Sequence, residues 1–144
     1  MRWLLLVGVV LFALAQIVRP AKTNPQIDHA LALEAQMQVD PKVSAILDRS
    51  CADCHSNKTR WPWYSHVAPV SWFVIDHVNH GRSHLNFSEW GSYDKPKQRN
   101  LLGGICELVR EDGMPLASYL PLHPDAKLTA EDKKVICEWT SQTK

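Results

Sequence analysis

The chain opens with an apolar run, residues 3–18, that contains no charged side chain and only one polar residue. Such a run is typical of an export signal, either cleaved at its A-x-A sequence or retained as an anchor. It is slightly shorter than the ~20 residues of a usual membrane span. Because the run continues past the A-x-A sequence and ends at Arg19 and Lys22, we favour a retained anchor over a cleaved signal peptide for residues 1–19.

Two helices are predicted in the first half of the remaining chain. Asp40 is a good N-cap for a helix that leads directly into a cysteine, and its apolar stripe at helical spacing consists of Val43, Ile46 and Leu47. Ser71 is predicted to cap a second helix, from Trp72 to about His80, with Gly81 as its stop. If this helix passed Gly81, three histidines would share one face, namely His77, His80 and His84. Because glycine argues against that continuation, we expect these histidines to be exposed and give a metal or axial-ligand role the smaller weight.

Two further helices are predicted in the second half. Pro96 opens one that ends near Gly113, with an apolar stripe of Leu101, Leu102, Ile105, Leu108 and Val109. Thr129 caps the last helix, whose apolar side contains Val135, Ile136 and Trp139. No strand-like alternation and no internal repeat is present, so the predicted fold is all-α with long loops.

The composition fits one folded domain that does not bind nucleic acid. The chain has 144 residues and a net charge of +1 at pH 7, which leaves no basic stripe for a nucleic-acid partner. Six tryptophans and nine prolines suggest aromatic packing around something flat, joined by irregular loops. We divide the chain into residues 1–19, a partly helical spacer over 20–38, and a folded domain over 39–144.

The segment Cys51-Ala52-Asp53-Cys54-His55 is a CxxCH motif. Cysteines at this spacing can each add across one vinyl group of a haem, and the following histidine can then ligate the iron. The motif therefore predicts one covalent haem c held by Cys51, Cys54 and His55. A zinc knuckle would need a second close ligand pair, and a thioredoxin-like site would need a βαβ unit. The sequence has neither.

Further candidate contacts lie in the loops. Arg60 and the indole N–H groups of Trp61 and Trp63 are donors suited to haem propionates, although a packed loop with Arg60 in solvent is the other interpretation. Met114 follows a helix stop and precedes a proline, which places its thioether in a loop. It either ligates iron or fills a gap in the packing.

The arrangement resembles the class I cytochromes c, in which a helix enters CxxCH and a Met-Pro loop precedes a C-terminal helix. His55 and Met114 are 59 positions apart, a separation similar to that in these cytochromes. More specifically, the strings CADCHSNKTRWPWYSHVAPVSW, HLNFSEW, MPL and LHPDAKLT resemble a bacterial haem-binding domain family whose members carry an N-terminal apolar anchor. The resemblance implies a cytochrome c-like fold, Met114 as distal ligand, and the Pro69 carbonyl as acceptor of the His55 Nδ1 proton.

Cys106 and Cys137 remain outside the motif. Each lies on a predicted helix, at the margin of or outside its apolar stripe. In an oxidising compartment two spare cysteines more often pair than stay free, so we favour a disulfide over two small buried thiols.

The function that these observations predict is single-electron transfer by a monohaem c-type cytochrome, with iron held by His55 and Met114. A closed six-coordinate site makes the protein a carrier and not an enzyme. We expect it in the periplasm or on the extracytoplasmic face of the inner membrane, anchored by residues 3–18 or released after cleavage, with redox proteins as partners. The alternative is a haem-based sensor or peroxide-reactive haem enzyme with an open or weakly held distal site.

Overall fold

The computed structural model describes residues 1–142 as helices joined by long loops, with no β-strand in that range. The α-helices of this range are α1 (Arg2–Ala15), α2 (Leu33–Gln36), α3 (Pro41–Ser50), α4 (Ala52–His55), α5 (Val70–His84), α6 (Lys95–Arg110) and α7 (Ala130–Gln142). Short 3₁₀ helices lie in the loops at Trp63–His66, Phe87–Ser92, Leu120–Leu122 and Pro124–Ala126. The all-α prediction is confirmed.

Helix α3 has the start and the buried face that the sequence predicts. Asp40 lies outside the helix in extended conformation, and its Oδ1 accepts the Lys42 N–H at 2.8 Å. Pro41 occupies the first helical position, where no N–H is needed. The predicted stripe of Val43, Ile46 and Leu47 is buried. Local capping and burial of one face therefore both specify this helix.

The core lies where α3, α6 and α7 meet. The larger cluster also takes side chains from the segments before α3 and after α5, and consists of Leu33, Val43, Leu47, Leu85, Phe87, Trp90, Leu102 and Trp139. A smaller cluster consists of Ile46, Val109 and Ile136 on the same helices, together with Leu128 from the segment before α7. The predicted stripe of α6 is only partly buried, because Leu108 faces outward with 45% of its surface exposed.

The ends of α6 and α7 are closed by local hydrogen bonds. Asp112, with φ of 57°, adopts the left-handed conformation after α6, and the Gly113 N–H donates to the Leu108 carbonyl at 2.8 Å. At the start of α7, Thr129 Oγ1 accepts the Asp132 N–H at 3.1 Å while Asp132 Oδ2 accepts the Thr129 N–H at 2.8 Å. This reciprocal pair is a capping box with aspartate at the third position.

A disulfide joins α6 to α7. Cys106 and Cys137 are bonded, with their Cα atoms 4.8 Å apart. The disulfide that the sequence favoured is therefore present in the structure, and it links two helices that pack against each other.

Helix α5 differs from its prediction at both ends. It begins at Val70 after Pro69, so Ser71 lies inside the helix and does not cap it. It also continues through Gly81 to His84. A Cβ at position 81 would lie 2.5 Å from the Cys54 carbonyl oxygen, so the glycine permits close approach of α4 rather than ending the helix.

The N-terminal run forms a short helix. Helix α1 has 14 residues and none of them is buried. Within residues 1–142, no helix is both long and apolar enough to cross a membrane. In the following spacer, which was predicted to be partly helical, Asp28 Oδ1 accepts the Ala30 N–H at 2.9 Å in a turn, and helix α2 comprises four residues.

Candidate haem attachment site

The CxxCH motif forms a single helical turn directly after α3. Cys51 closes α3 by donating its N–H to the Leu47 carbonyl at 2.9 Å, and the His55 N–H donates to the Cys51 carbonyl at 2.9 Å. Both motif cysteines are free thiols. The two thiols and the imidazole therefore lie on one short helical turn.

The imidazole of His55 is oriented by carbonyl groups at the end of α5. Its Nδ1 lies 3.0 Å from the Leu85 oxygen and 3.1 Å from the Gly81 oxygen. Because a carbonyl can only accept, Nδ1 must carry the proton, which leaves the lone pair of Nε2 for a metal.

The structure pairs His55 Nδ1 with the Leu85 and Gly81 carbonyls and not with the Pro69 carbonyl that the resemblance implied. Pro69 precedes the first turn of α5, at the end of the helix opposite to the two acceptors. Of the two acceptors, Gly81 lies in the last turn of α5 and Leu85 directly follows the helix.

Burial controls the protonation of the site. It raises the pKa of the Cys51 thiol to about 12, and it raises that of Cys54, beside Asp53, to about 11. Burial also lowers the pKa of His55, although its two carbonyl partners oppose this shift. At neutral pH the site therefore holds two thiols and a neutral imidazole. A thioredoxin-like dithiol needs a lowered thiol pKa, so these shifts argue against that interpretation.

A buried polar network holds the loop that follows the motif. Asn57 accepts from the Asn86 side chain at 2.8 Å and donates its N–H to Ser88 Oγ at 3.0 Å. Thr59 Oγ1 donates to the Asp53 carbonyl at 2.7 Å. Within residues 1–142 every buried side-chain nitrogen and oxygen atom has a partner. The loop is thus fixed against the segment after α5.

Asp53, between the two cysteines, joins two loops. Arg60 donates from Nε to Asp53 Oδ1 at 3.0 Å and from Nη2 to the Asp48 carbonyl at 2.8 Å. The Tyr119 hydroxyl donates to Asp53 Oδ2 at 2.8 Å. The Tyr119 ring stacks on the His123 imidazole, with the two ring centroids 3.8 Å apart. The loop after Met114 is therefore bonded to the CxxCH turn itself.

The three predicted propionate donors, Arg60, Trp61 and Trp63, lie in different environments. Arg60 is paired with Asp53 and Asp48, so its guanidinium is not free. Trp63 is 76% exposed. Trp61 is half-buried and lines a cavity of about 410 Å³, together with Tyr119 and His123. Their role toward propionates stays a prediction.

Met114 lies in the loop between α6 and α7, as predicted. It is half-buried, and its N–H donates to the Leu108 carbonyl at 3.3 Å. Five residues later Tyr119 anchors the same loop to Asp53. Iron ligation by Met114 stays a prediction.

The profile of a family described as haem-binding domain matches residues 10–142, which is most of the chain. The chain belongs to the haem-binding domain family. No curated protein and no solved structure is similar enough to count as a match. The family thus agrees with the haem that the CxxCH motif predicted.

The residues of the CxxCH motif in this haem-binding domain are suited to holding a haem. Two unpaired thiols at the required spacing precede a histidine whose Nδ1 is hydrogen-bonded and whose Nε2 makes no hydrogen bond to the described residues. A zinc module is less suited, because the sulfurs of Cys106 and Cys137 are bonded to each other. Within residues 1–142 no group of three or more His, Cys, Asp or Glu side chains is arranged to hold a metal ion.

The three histidines of α5 do share one helix, contrary to the predicted stop at Gly81. His77 donates from Nδ1 to the Phe73 carbonyl at 2.8 Å, and His80 donates to the Asp76 carbonyl at 3.0 Å. His80 and His84 are exposed. These histidines form no metal cluster with one another.

Sequence reasoning missed three elements of the site in this haem-binding domain. The first is the pair of carbonyls on His55, which leaves no signal in the sequence because every residue has a carbonyl. The second is the bond from Tyr119 to Asp53. The third is Arg82, which donates to the Ser56 carbonyl at 2.8 Å and to Thr59 Oγ1 at 2.7 Å. The glycine at position 81, inside an otherwise helical pattern, was the one available hint of a close backbone contact.

Proposed function

We propose that the protein is a c-type haem protein in which Cys51 and Cys54 form thioethers to one haem and His55 is the proximal ligand. The observation that carries this proposal is the His55 imidazole, whose Nδ1 is held by Leu85 and Gly81 so that Nε2 is available for iron. Such carbonyl partners fix the tautomer and ring orientation of a metal-binding histidine. The haem supplies one-electron chemistry when it is bound.

We propose further that Met114 is the distal ligand and that the protein carries single electrons, as in the class I cytochromes c. The support is the order of elements, since α3 enters CxxCH and the loop between α6 and α7 contains Met114. Tyr119 holds this loop to the CxxCH turn. A thioether favours ferrous iron, and a closed site excludes substrate, which suits a carrier rather than an enzyme.

The proposed location is the periplasm or the extracytoplasmic face of the inner membrane, with redox proteins as partners. Two observations support it. The disulfide between Cys106 and Cys137 is of the kind that persists in oxidising compartments. The exposed apolar helix α1 has the character of an export signal or an anchor.

The alternative function is a haem-based sensor or a peroxide-reactive haem enzyme. One observation favours it: Tyr119 and His123 stack beside Asp53 and line a cavity of about 410 Å³. Side chains of this chemistry can move protons next to an open iron site. In that case Met114 would not ligate iron.

The experiment that tests the attachment is expression with a haem-attachment system followed by extraction in acidified organic solvent. Covalent attachment predicts that the colour stays with the polypeptide and that the mass rises by one haem. Single Cys51→Ala or Cys54→Ala changes should lower the yield and leave at most one thioether. Colour that extracts freely from the wild type would overturn the proposal.

Visible spectroscopy separates the carrier from the alternative. With Met114 bound, the ferric protein should be low-spin, with the weak far-red sulfur-to-iron band. Met114→Ala should then abolish the band, lower the reduction potential and open the iron to carbon monoxide. A high-spin wild type, or a spectrum indifferent to Met114→Ala, would favour the sensor or peroxidase function.

A further inference from the structure

Helix α1 is apolar on every side. Its exposed large side chains are distributed around the helix rather than along one stripe, and all of them leave about half or more of their surface uncovered: Trp3, Leu4, Leu5, Leu6, Val7, Val9, Val10, Leu11, Phe12 and Leu14. A helix that packs into a groove of a protein partner needs only one apolar face, and the other can be polar. A helix that is apolar all round matches a surrounding of lipid.

The C-terminal end of α1 is bonded to the folded domain. Gln16 Oε1 accepts the Ala68 N–H at 2.9 Å, while Gln16 Nε2 donates to the Ala68 carbonyl at 3.1 Å. The Trp72 indole donates to the Val18 carbonyl at 2.7 Å. The end of the apolar helix is therefore hydrogen-bonded to the segment before α5 and to the first turn of α5.

The spacer after α1 continues along the same domain. Lys22 contacts the imidazole of His66, and Asn24 Nδ2 donates to the Thr59 carbonyl at 2.9 Å. Arg82 donates to the Thr23 carbonyl at 2.7 Å and to Asn24 Oδ1 at 2.9 Å. The spacer is therefore bonded to the domain and is not a free linker. These bonds fix the direction of α1 relative to the domain.

The domain has exposed apolar side chains where α1 leaves it. Beyond residue 18, the exposed large hydrophobic side chains of the described chain are Trp63, Val70, Phe73, Leu108 and Leu122. The first three, which we call the rim, lie in the same segment that binds Gln16 and Val18. Trp63 is 76% exposed and Phe73 is 52% exposed. Arg19 and Lys22 add positive charge at this end of α1.

We propose that the rim is a lipid-contacting surface, so that the haem domain rests on a phospholipid bilayer in one fixed orientation with α1 embedded in lipid. The proposal rests on the proposed location at a membrane and names the face that meets it. Tryptophan at a bilayer interface, next to arginine and lysine, is a common arrangement at the ends of lipid-embedded helices. The proposed orientation requires only that α1 enters the lipid, and it does not require α1 to cross the bilayer.

The orientation follows from the bonded end of α1. The Gln16–Ala68 bonds hold the segment before α5 beside the end of α1. When α1 is in the bilayer, this segment must therefore lie at the bilayer surface. Trp63, Val70 and Phe73 then bury apolar surface that is otherwise in water. Leu108, on α6, is equally apolar but belongs to a helix that packs on α7, and we expect it to stay in water.

The test uses the full chain, loaded with haem, in nanodiscs of phosphatidylcholine and phosphatidylglycerol. A photo-crosslinking residue replaces Trp63, Phe73 or Leu108 in separate variants, written Trp63→p-benzoylphenylalanine and so on. After irradiation, mass spectrometry of the peptides measures lipid adducts. We expect adducts at 63 and 73 that exceed those at the matched control 108 several-fold.

Three results would overturn the proposal: equal adducts at all three positions, no lipid adducts at 63 and 73, or crosslinks from these positions to a second copy of the chain.

The same samples distinguish failure of the surface from failure of the proposed haem function. Covalent haem is measured by mass and spectrum in each variant, independently of lipid. A chain that contains haem but gives no lipid adducts overturns the rim alone. A chain that gives the adducts without covalent haem overturns the haem function alone.

Discussion

At the scale of single residues, Gly81 has the clearest structural requirement in the site. It is a glycine in a helix interior, which costs about 0.5–1 kcal/mol relative to alanine. The Cys54 carbonyl occupies the place where its Cβ would lie. The carbonyl of Gly81 is also one of the two acceptors for His55 Nδ1. One residue thus sets both the spacing of α4 against α5 and the orientation of the His55 imidazole.

We expect Gly81→Ala to destabilise the protein by about 1–3 kcal/mol, because the added methyl group must push α4 away from α5. Urea denaturation measures the loss. Gly103→Ala on α6 is the matched control, since nothing lies within 4 Å of a Cβ at that position. This control should stabilise the protein by about 0.5–1 kcal/mol. Equal effects of the two changes would contradict the close contact.

The two motif thiols give a prediction on pH. Their ordinary pKa is 9.0, and in the folded chain it is raised to about 12 for Cys51 and about 11 for Cys54. Between about pH 9 and 11 the unfolded chain releases these protons while the folded chain retains them. Stability of the haem-free protein therefore falls as the pH rises through this window.

Urea midpoints at pH 8 and pH 10 measure this loss. Because a thioether does not titrate, covalent haem should reduce it, and Cys51→Ala combined with Cys54→Ala should reduce it in the haem-free chain. The tyrosines contribute to both, so the difference between variants is the informative quantity. The same alkaline loss with and without the cysteines would contradict the shifted thiols.

At the scale of elements, the loop between α6 and α7 is bonded to the α4 turn through Tyr119 and Asp53. Burial, and then the bond to Asp53, raise the pKa of Tyr119 well above its ordinary value, so the hydroxyl stays a donor. The bond connects the loop that contains Met114 to the CxxCH motif. Its role is to position the loop.

Tyr119→Phe should destabilise the fold by about 1–2 kcal/mol, because the bond to a carboxylate is lost while Arg60 still pairs Asp53. If Met114 ligates iron, the far-red band should weaken and carbon monoxide should bind faster. Tyr93→Phe is the control, since it removes a bond of similar length, 2.9 Å from the Asn86 N–H, away from this loop. An unchanged band in Tyr119→Phe would contradict the positioning role.

At the scale of the whole molecule, the spacer after α1 is fastened to the domain through Arg82. Its guanidinium reaches Thr23, Asn24, Ser56 and Thr59. Only the planar fork of arginine has the geometry for four such acceptors. Arg82 therefore holds both the spacer after α1 and the loop after CxxCH.

Arg82→Lys should release the spacer, because an ammonium group cannot keep all four bonds. We expect limited proteolysis within residues 20–26 to accelerate several-fold, while the haem spectrum is retained. Arg99→Lys serves as the control, since Arg99 is exposed and makes no hydrogen bond or ion pair with any residue of the range 1–142. Equal cleavage rates in both variants would mean that the spacer is held by other contacts.

The sequence alone determined the features that depend on neighbours along the chain. The caps at Asp40 and Thr129, the apolar N-terminal run and the CxxCH spacing are all local, so their physics is complete within a few residues. The tertiary structure decided what depends on distant segments. The partners of His55 are backbone carbonyls, which are the same for every residue type, so no side chain announces them. Whether Gly81 ends or continues α5 depended on the approach of Cys54. The pairing of Cys106 with Cys137 depended on how α6 packs against α7. Residues that are neighbours along the chain determine neither contact.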